Sequence, residues 1–262
     1  MHPAPRYPPV EDAALTGHLW VYEAVPGPTI RAHVTGDGRL RFGDDSRAFD
    51  DRVPLGMRAA ARRLRATVDH GAVGEVVDRV GPVTIVAVAT RGDPPYDLAT
   101  VPAAVALDVV TDDEPSGPDV AASVLDGVGL DALPTVAREV PVDRFDPGER
   151  PSSILASGPV AGFLVRDKRD GRGAVWFDDR GDGVGDGETT AARPVEAVVA
   201  TLVDGALVDR VLSARAADAD PVEPVVEEVT RLAYGELFDR AEPVSASALR
   251  SAVAARLGRI DR

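Results

Sequence analysis

The chain has 262 residues, 44% of them hydrophobic, and carries 43 Asp and Glu against 29 Lys and Arg, a net charge of −14. With no cysteine, disulfides, thiolate zinc sites and cysteine nucleophiles are excluded, and His2, His18, His33 and His70 match no common zinc spacing. No apolar run reaches the length of a membrane span and MHPAPRYPP lacks a signal peptide's apolar stretch, so a soluble, cytoplasmic protein is expected.

In chain order, residues 1–14 read as a mobile, Pro-rich tail. His18 to Val25 and Thr29 to Val34 read as strands around Pro26-Gly27-Pro28, and Gly36-Asp37-Gly38 turns into a third strand at Arg39 to Phe42. From Leu55 to Val68 the period becomes helical, with Met57, Ala61, Leu64 and Val68 on one face and Arg58, Arg62 and Arg65 on another. Val83 to Ala89 and Ala103 to Val110 are apolar strands separated by the loop Arg91 to Asp97. A helix over Asp119 to Gly127 and a strand near Val136 to Val140 follow, then a hairpin of Pro159 to Arg166 and Ala174 to Phe177 across Asp170-Gly171. The acidic, Gly-rich segment Asp178 to Glu188 leads to helical patterns at 194–216, 221–240 and 245–258, where Ser245 or Ser247 is a plausible cap. The expectation is an α+β domain over residues 15–190 and a small helical domain over 191–262.

The charge is nearly all arginine on the positive side, Lys168 being the only lysine. An acidic, lysine-poor, Ala/Val/Asp/Arg-rich composition resembles that of proteins from salt-in halophiles. In molar salt the Debye length is about 3 Å, so surface repulsion is screened and the acidity argues only weakly against a nucleic-acid partner. At low salt it opposes one.

The order of segments through residues 15–180 resembles the ATP-dependent RNA ligases of the covalent nucleotidyltransferase superfamily, in a haloarchaeal form. Their first motif, Glu-Lys-x-Asp-Gly, is matched by Glu23-Ala24-Val25-Pro26-Gly27 with Arg31 downstream, and their Ser-Arg phrase by Ser46-Arg47. Val86-Ala87-Val88 falls at Phe-Gly-Glu, Leu107-Asp108-Val109 at Phe-Asp-Val, and Ala161-Gly162-Phe163-Leu164-Val165-Arg166 at Glu-Gly-Val-Val-Val-Arg. Gly173-Ala174-Val175-Trp176 falls at the last, lysine-centred motif. The resemblance implies an ATP-grasp-like ligase adenylation fold of antiparallel sheets with flanking helices, and in the family ATP and Mg²⁺ as cofactors.

Under that resemblance, Ala24 stands where the lysine nucleophile attacks the α-phosphate, and a methyl group cannot attack. Val88 and Ala161 stand at metal-holding carboxylates, Val175 at the phosphate-contacting lysine and Pro26 at an aspartate. No catalytic residue is therefore assigned and no metal site is expected. Glu23, Gly27, Arg31, Arg47 and Arg166 match positions near the nucleotide; Arg31 and Arg47 are either bidentate phosphate holders or surface arginines of an arginine-rich chain. Lys168 as a relocated nucleophile would have to lose a proton that an exposed lysine keeps.

Asp179, Asp182 and Asp186 resemble a calcium-loop spacing, but the twelfth position counted from Asp178 is Thr189 and not Glu, which leaves an acidic surface loop as the alternative. The Arg58, Arg62, Arg65 face is either an RNA-phosphate contact or a solvated helix face. Trp20, Phe42, Phe163 and Trp176 are expected in the core. Neither a nucleophile elbow nor a P-loop is present. The implied function is a non-catalytic, RNA ligase-like binder of a nucleotide or RNA end, with a protein partner possible through the C-terminal helices. An active ligase with unconventional residues and a structural protein with an empty pocket are the alternatives.

Overall fold

Short apolar alternations broken by Pro and Gly produce antiparallel strands, and the computed structural model arranges them as two sheets. It describes residues 4–35, 39–50, 52–92, 98, 101–111, 114–177, 193–213 and 220–260, without the side chains of His70 and Val80. The first sheet has the order β7 (Thr135–Pro141), β1 (His18–Glu23), β8 (Gly162–Asp167), β9 (Arg172–Trp176). The second runs β3 (Leu40–Gly43), β2 (Thr29–Val34), β4 (Val83–Ala89), β5 (Ala104–Thr111), β6 (Glu114–Pro115). Chain reversal at Pro26-Gly27-Pro28 thus carries β1 and β2 into different sheets.

Alternation along the second sheet separates its two faces. Ile30, Ala32, Val34, Ile85, Ala87, Ala89, Ala104 and Ala106 pack on Met57, Ala60 and Leu64 of α1 (Leu55–Thr67), Val73 of α2 (His70–Val80) and Leu125 of α3 (Pro118–Gly127). The opposite face meets the first sheet. There β5 breaks step: Ala87 pairs with Ala106 but Val86 with Asp108, so Leu107 is bulged out of register. The bulge puts Val109 in the helical core and turns Asp108 towards the first sheet, the re-aiming that bulges produce.

Asp69 accepts from the Gly71 and Ala72 amides and caps α2. This helix was not foreseen, because Gly71, Gly74 and a run of valines weaken its signal. The pattern over 194–216 divides into α4 (Val195–Leu202) and α5 (Gly205–Leu212), since Asp204 caps the Leu207 amide and starts a new helix. Then follow α6 (Val222–Leu232), α7 (Tyr234–Phe238) and α8 (Ala246–Ile260), which share a core of Val198, Val225, Val229, Leu237, Leu249 and Val253.

These C-terminal helices lie against the strand-rich part. Arg231, 4% exposed, donates to Thr90 Oγ1 (3.0 Å), to the Leu98 carbonyl (3.1 Å), to that of Val101 and to Glu228 (2.7 Å). The Gly92 amide bonds the Arg231 carbonyl at 2.9 Å, and a Cβ there would overlap the Leu232 carbonyl. Residues 4–14, expected to be mobile, instead line β9. Pro8 accepts from the Ala174 amide at 2.7 Å and Pro9 bridges Ala174. Met1–Pro3 lie outside the described residues.

Candidate functional site

Strand parity decides which candidates share a face. On β1, Trp20, Tyr22 and Ala24 turn towards the second sheet and Glu23 turns away with Leu19 and Val21. Ala24 is fully buried, its amide bonded to the Gly162 carbonyl at 3.0 Å, with Ala161 in the same cluster. Across from them Val88 pairs with Thr29. Val175 packs with Phe163 on the outer face of the first sheet, so it does not share the cleft with Ala24.

The cleft around Ala24 is filled by the chain itself. Tyr7 from the N-terminal segment, Leu98 and Val101 from the connection before β5, Leu133, Leu155 and Leu232 of α6 join Trp20, Tyr22, Ala24 and Ala161 in one apolar cluster. A cavity of about 60 Å³ lies to one side, between Trp20, Tyr22, Leu125, Arg138 and Arg166, and is not lined by Ala24, Val88 or Ala161. Burial raises the Tyr7 phenol well above its usual pKa and Tyr22 to about 12, so both stay neutral.

Glu23, one residue from Ala24, is held on the opposite face. Its carboxylate accepts from Ser153 Oγ and from the Ile154 amide at 2.8 Å, which folds residues 152–159 across that end of the sheet. Gly27 has φ +149°, and a Cβ there would strike the Ala89 carbonyl; its role is the close passage of the inter-sheet turn over β4. Neither residue presents a group to the Ala24 cleft.

Arg31 and Arg47 both meet Asp44 at the turn after β3, Arg31 through its side chain and Arg47 through its backbone amide. Arg31 is buried on the inner face of the second sheet and donates through Nε to the Asp44 carbonyl at 2.6 Å. Burial lowers its pKa and the neighbouring Asp45 and Asp44 oppose that shift. Asp44 accepts from Ser46 Oγ (2.6 Å), Ser46 N (2.8 Å) and Arg47 N (2.9 Å), bonds that hold its pKa down. Arg47 itself is exposed. Two carboxylates therefore share this turn with the two arginines and compete with any phosphate for them.

Arg166 is placed elsewhere. It is 2% exposed and joins Arg172 on the fully buried Asp108, at 3.2 Å and 3.3 Å, while also donating to the Ser116 carbonyl. Burial pushes the Asp108 carboxyl up and the two guanidiniums oppose it. An Arg–Asp–Arg group thus ties the sheets together, and Arg166 is committed to it. Lys168, 55% exposed, pairs with Glu139 at 2.8 Å, and this bond raises its pKa, which keeps the amine protonated.

Among the described residues no group of three His, Asp or Glu side chains converges to hold a metal ion, and no helix is long and apolar enough to cross a membrane. The calcium-like segment with Asp179, Asp182 and Asp186 lies outside the described residues. Of the four aromatics expected in the core, Trp20, Phe42 and Phe163 are buried, whereas Trp176 at the end of β9 is 56% exposed.

Sequence reading missed Tyr7, Arg172 and Arg231. A lone large aromatic in a Pro-rich stretch was the available sign for Tyr7. The partners of the two arginines are remote in sequence and left no local trace. The Arg58, Arg62, Arg65 face is not simply solvated. It lines a cavity of about 790 Å³ with Arg52, Glu223, Glu227 and Arg250, between α1 and the C-terminal helices.

No protein-family model matches the chain, and no curated protein matches it significantly in sequence. Among solved structures it is similar to the RNA ligase of Naegleria gruberi. A lysine-to-alanine mutant of that ligase with ATP and Mn superposes with a TM-score of 0.50 at 11% identity, covering 67% of this chain and 56% of that one. A glutamate-to-alanine mutant with AMP and Mn gives the same values. A second glutamate-to-alanine mutant, with ATP and Mn, gives 0.51 at 10% identity over 68% and 56%. The chain spans little more than half the length of that ligase, and it has an RNA ligase-like fold.

Proposed function

We propose that this chain is a non-catalytic, RNA ligase-like binding protein of the cytoplasm that recognises RNA without adenylating itself. The observation that carries the reading is the Ala24 cleft. At the position matched to the ligase nucleophile stands a methyl group, fully buried in the apolar cluster that Tyr7, Leu155 and Leu232 border. Mg²⁺ does not fit what the matched positions offer, since Val88 and Ala161 are buried and present only carbon where a hard cation needs oxygen. Fold likeness alone supports RNA as the ligand class, because the similar solved structures are of an RNA ligase. Arg31 and Arg47 keep a vestigial phosphate-holding arrangement, muted by Asp44 and Asp45.

The test is incubation with α-labelled ATP and Mg²⁺ or Mn²⁺ at high KCl, followed by denaturation and detection of label on the chain. No label and no calorimetric ATP signal are expected. A covalent adduct that disappears in Lys168→Ala would overturn the proposal in favour of an active ligase with a relocated nucleophile.

A further inference from the structure

The chain carries a net charge of −14, so an arginine-lined groove on its surface calls for an explanation. The cavity between α1 and the C-terminal helices is lined by Arg52, Arg58, Arg62, Arg65 and Arg250 with Glu223 and Glu227. A second cavity, of about 650 Å³, adjoins it through Arg52, Val53 and Arg65 and adds His33, Arg41 and Asp50. The two form one elongated trough with six arginines against three acids.

The trough divides into paired and unpaired cations. Arg62 meets Glu227 at 2.7 Å, and Arg58 and Arg250 share Glu223; these pairs hold α1 against α6 and α8. Arg41, Arg52 and Arg65 are exposed and have no carboxylate partner among the described residues. Arg65 lies with its guanidinium 4.5 Å from the Phe42 ring centroid, which holds the plane in place. On α1 the sequence spacing sets the geometry: Arg58, Arg62 and Arg65 recur on one face, about 6 Å and then 4.5 Å apart along the axis. Unpaired, exposed arginines strung along a trough suit a ligand with several anionic groups in a row, and one compact phosphate would leave most of them unused.

We propose that this trough docks the phosphate backbone of a single RNA strand. Its site lies behind the helical face of the second sheet, away from the Ala24 cleft. A concave channel of this size admits one strand, and planar guanidiniums both grip phosphates and stack on unpaired bases. The assignment rests on the reading of the chain as an RNA-binding protein and specifies where and through which chemistry RNA is held.

The test uses the full chain and a fluorescein-labelled oligouridylate about 12 nucleotides long, followed by anisotropy between about 50 and 200 mM KCl. The double variant Arg41→Glu/Arg52→Glu removes two cations that make no fold-holding pair. Arg144→Glu/Arg169→Glu makes the same change of net charge on exposed positions outside the trough. The trough variant is expected to bind about tenfold or more weakly, with its log K against log salt slope shallower by about 1.4, the loss of two phosphate contacts. The control pair should keep the parental slope, and circular dichroism should show all three chains folded. Equal losses in both variants, or no loss in either, would overturn the trough while leaving RNA binding intact. A folded parent that binds heparin but not the RNA even at the lowest salt would overturn both the trough and the RNA reading.

Discussion

Ala24→Lys places an amine at the buried position that the proposed reading sets against a ligase nucleophile, and it asks whether the cleft is closed. The Ala24 side chain is fully buried among Tyr7, Leu98, Val101, Leu155 and Leu232. A lysine there begins near its usual pKa of about 10.4 and full burial drags it to about 5–6. At pH 7 the folded variant is then neutral, and giving up the proton costs about 4.6 kcal/mol, the gap of about 3.4 units at 1.36 kcal/mol each. Forcing the longer chain into a packed cluster adds about 1–3 kcal/mol. The sum, about 6–8 kcal/mol, rivals the whole stability of a domain.

The sign of the pH dependence follows. A lysine pKa lowered by folding means that the unfolded chain binds more protons between the two values, so the penalty shrinks as pH rises, by about 1.4 kcal/mol per unit from pH 7 to 10. Urea denaturation of Ala24→Lys against Ala24→Leu at each pH isolates this term, because the leucine overpacks without titrating. Should the lysine variant fail to fold at pH 7, it should recover towards pH 10. A lysine variant as stable as the leucine one at pH 7, with no difference in slope, means that the amine reaches water and that the cleft is open.

Three further outcomes are expected. Tyr7→Phe should be neutral or stabilising by about 1 kcal/mol, because the Tyr7 hydroxyl is buried with no hydrogen-bond partner among the described residues; a thermal melt decides it, and a loss above about 1 kcal/mol would count against this. Asp108→Asn leaves Arg166 and Arg172 without their counter-charge inside the molecule and should cost about 3–5 kcal/mol in denaturant, a loss that Asp108→Glu should only partly repair. For Asp167, burial raises the pKa, but the Arg169, Thr16 and Gly171 amides and the Thr16 hydroxyl outweigh it and leave it depressed. Its contribution is therefore present above the unfolded value near 3.9 and lost as pH falls through the folded one. Asp167→Asn should accordingly lose about 1–3 kcal/mol at pH 7 and converge on the parent in acid, as read from denaturation midpoints.

Much of the fold could be read from local pattern because local pattern is what builds it. Val83–Ala89 and Thr29–Val34 coincide with the expected strands, and the helix over Leu55–Thr67 with its expected face. The hairpin was placed correctly around Asp170-Gly171 but shifted at its ends, since β8 starts only at Gly162. What depended on distant partners was not legible. Arg166 has the appearance of a phosphate ligand in sequence, and only the bulge at Leu107 brings Asp108 to it. Glu23 and Ala24 are neighbours in sequence, yet strand parity sends them to opposite faces. Arg31 and Arg47 lie thirteen and three residues from Asp44, which both of them bond, and no motif in the sequence signalled that shared partner.

The bulge in β5 makes the joint between the two sheets a matter of counting. With Leu107 present, two consecutive side chains turn inward, and the acid meets two arginines from β8 and β9. Flattening the bulge with Leu107 kept in the strand would impose strict alternation beyond Ala106, deliver the carboxylate into the alanine-rich layer under α1 and α3, and offer the arginines a valine, whereas deleting Leu107 would leave Asp108 facing them. With the bulge flattened, composition and length would not change, yet the sheets would lose their bolt. The strand thus carries a register code of a single residue, and where the bulge sits matters more to this joint than which apolar residue flanks it.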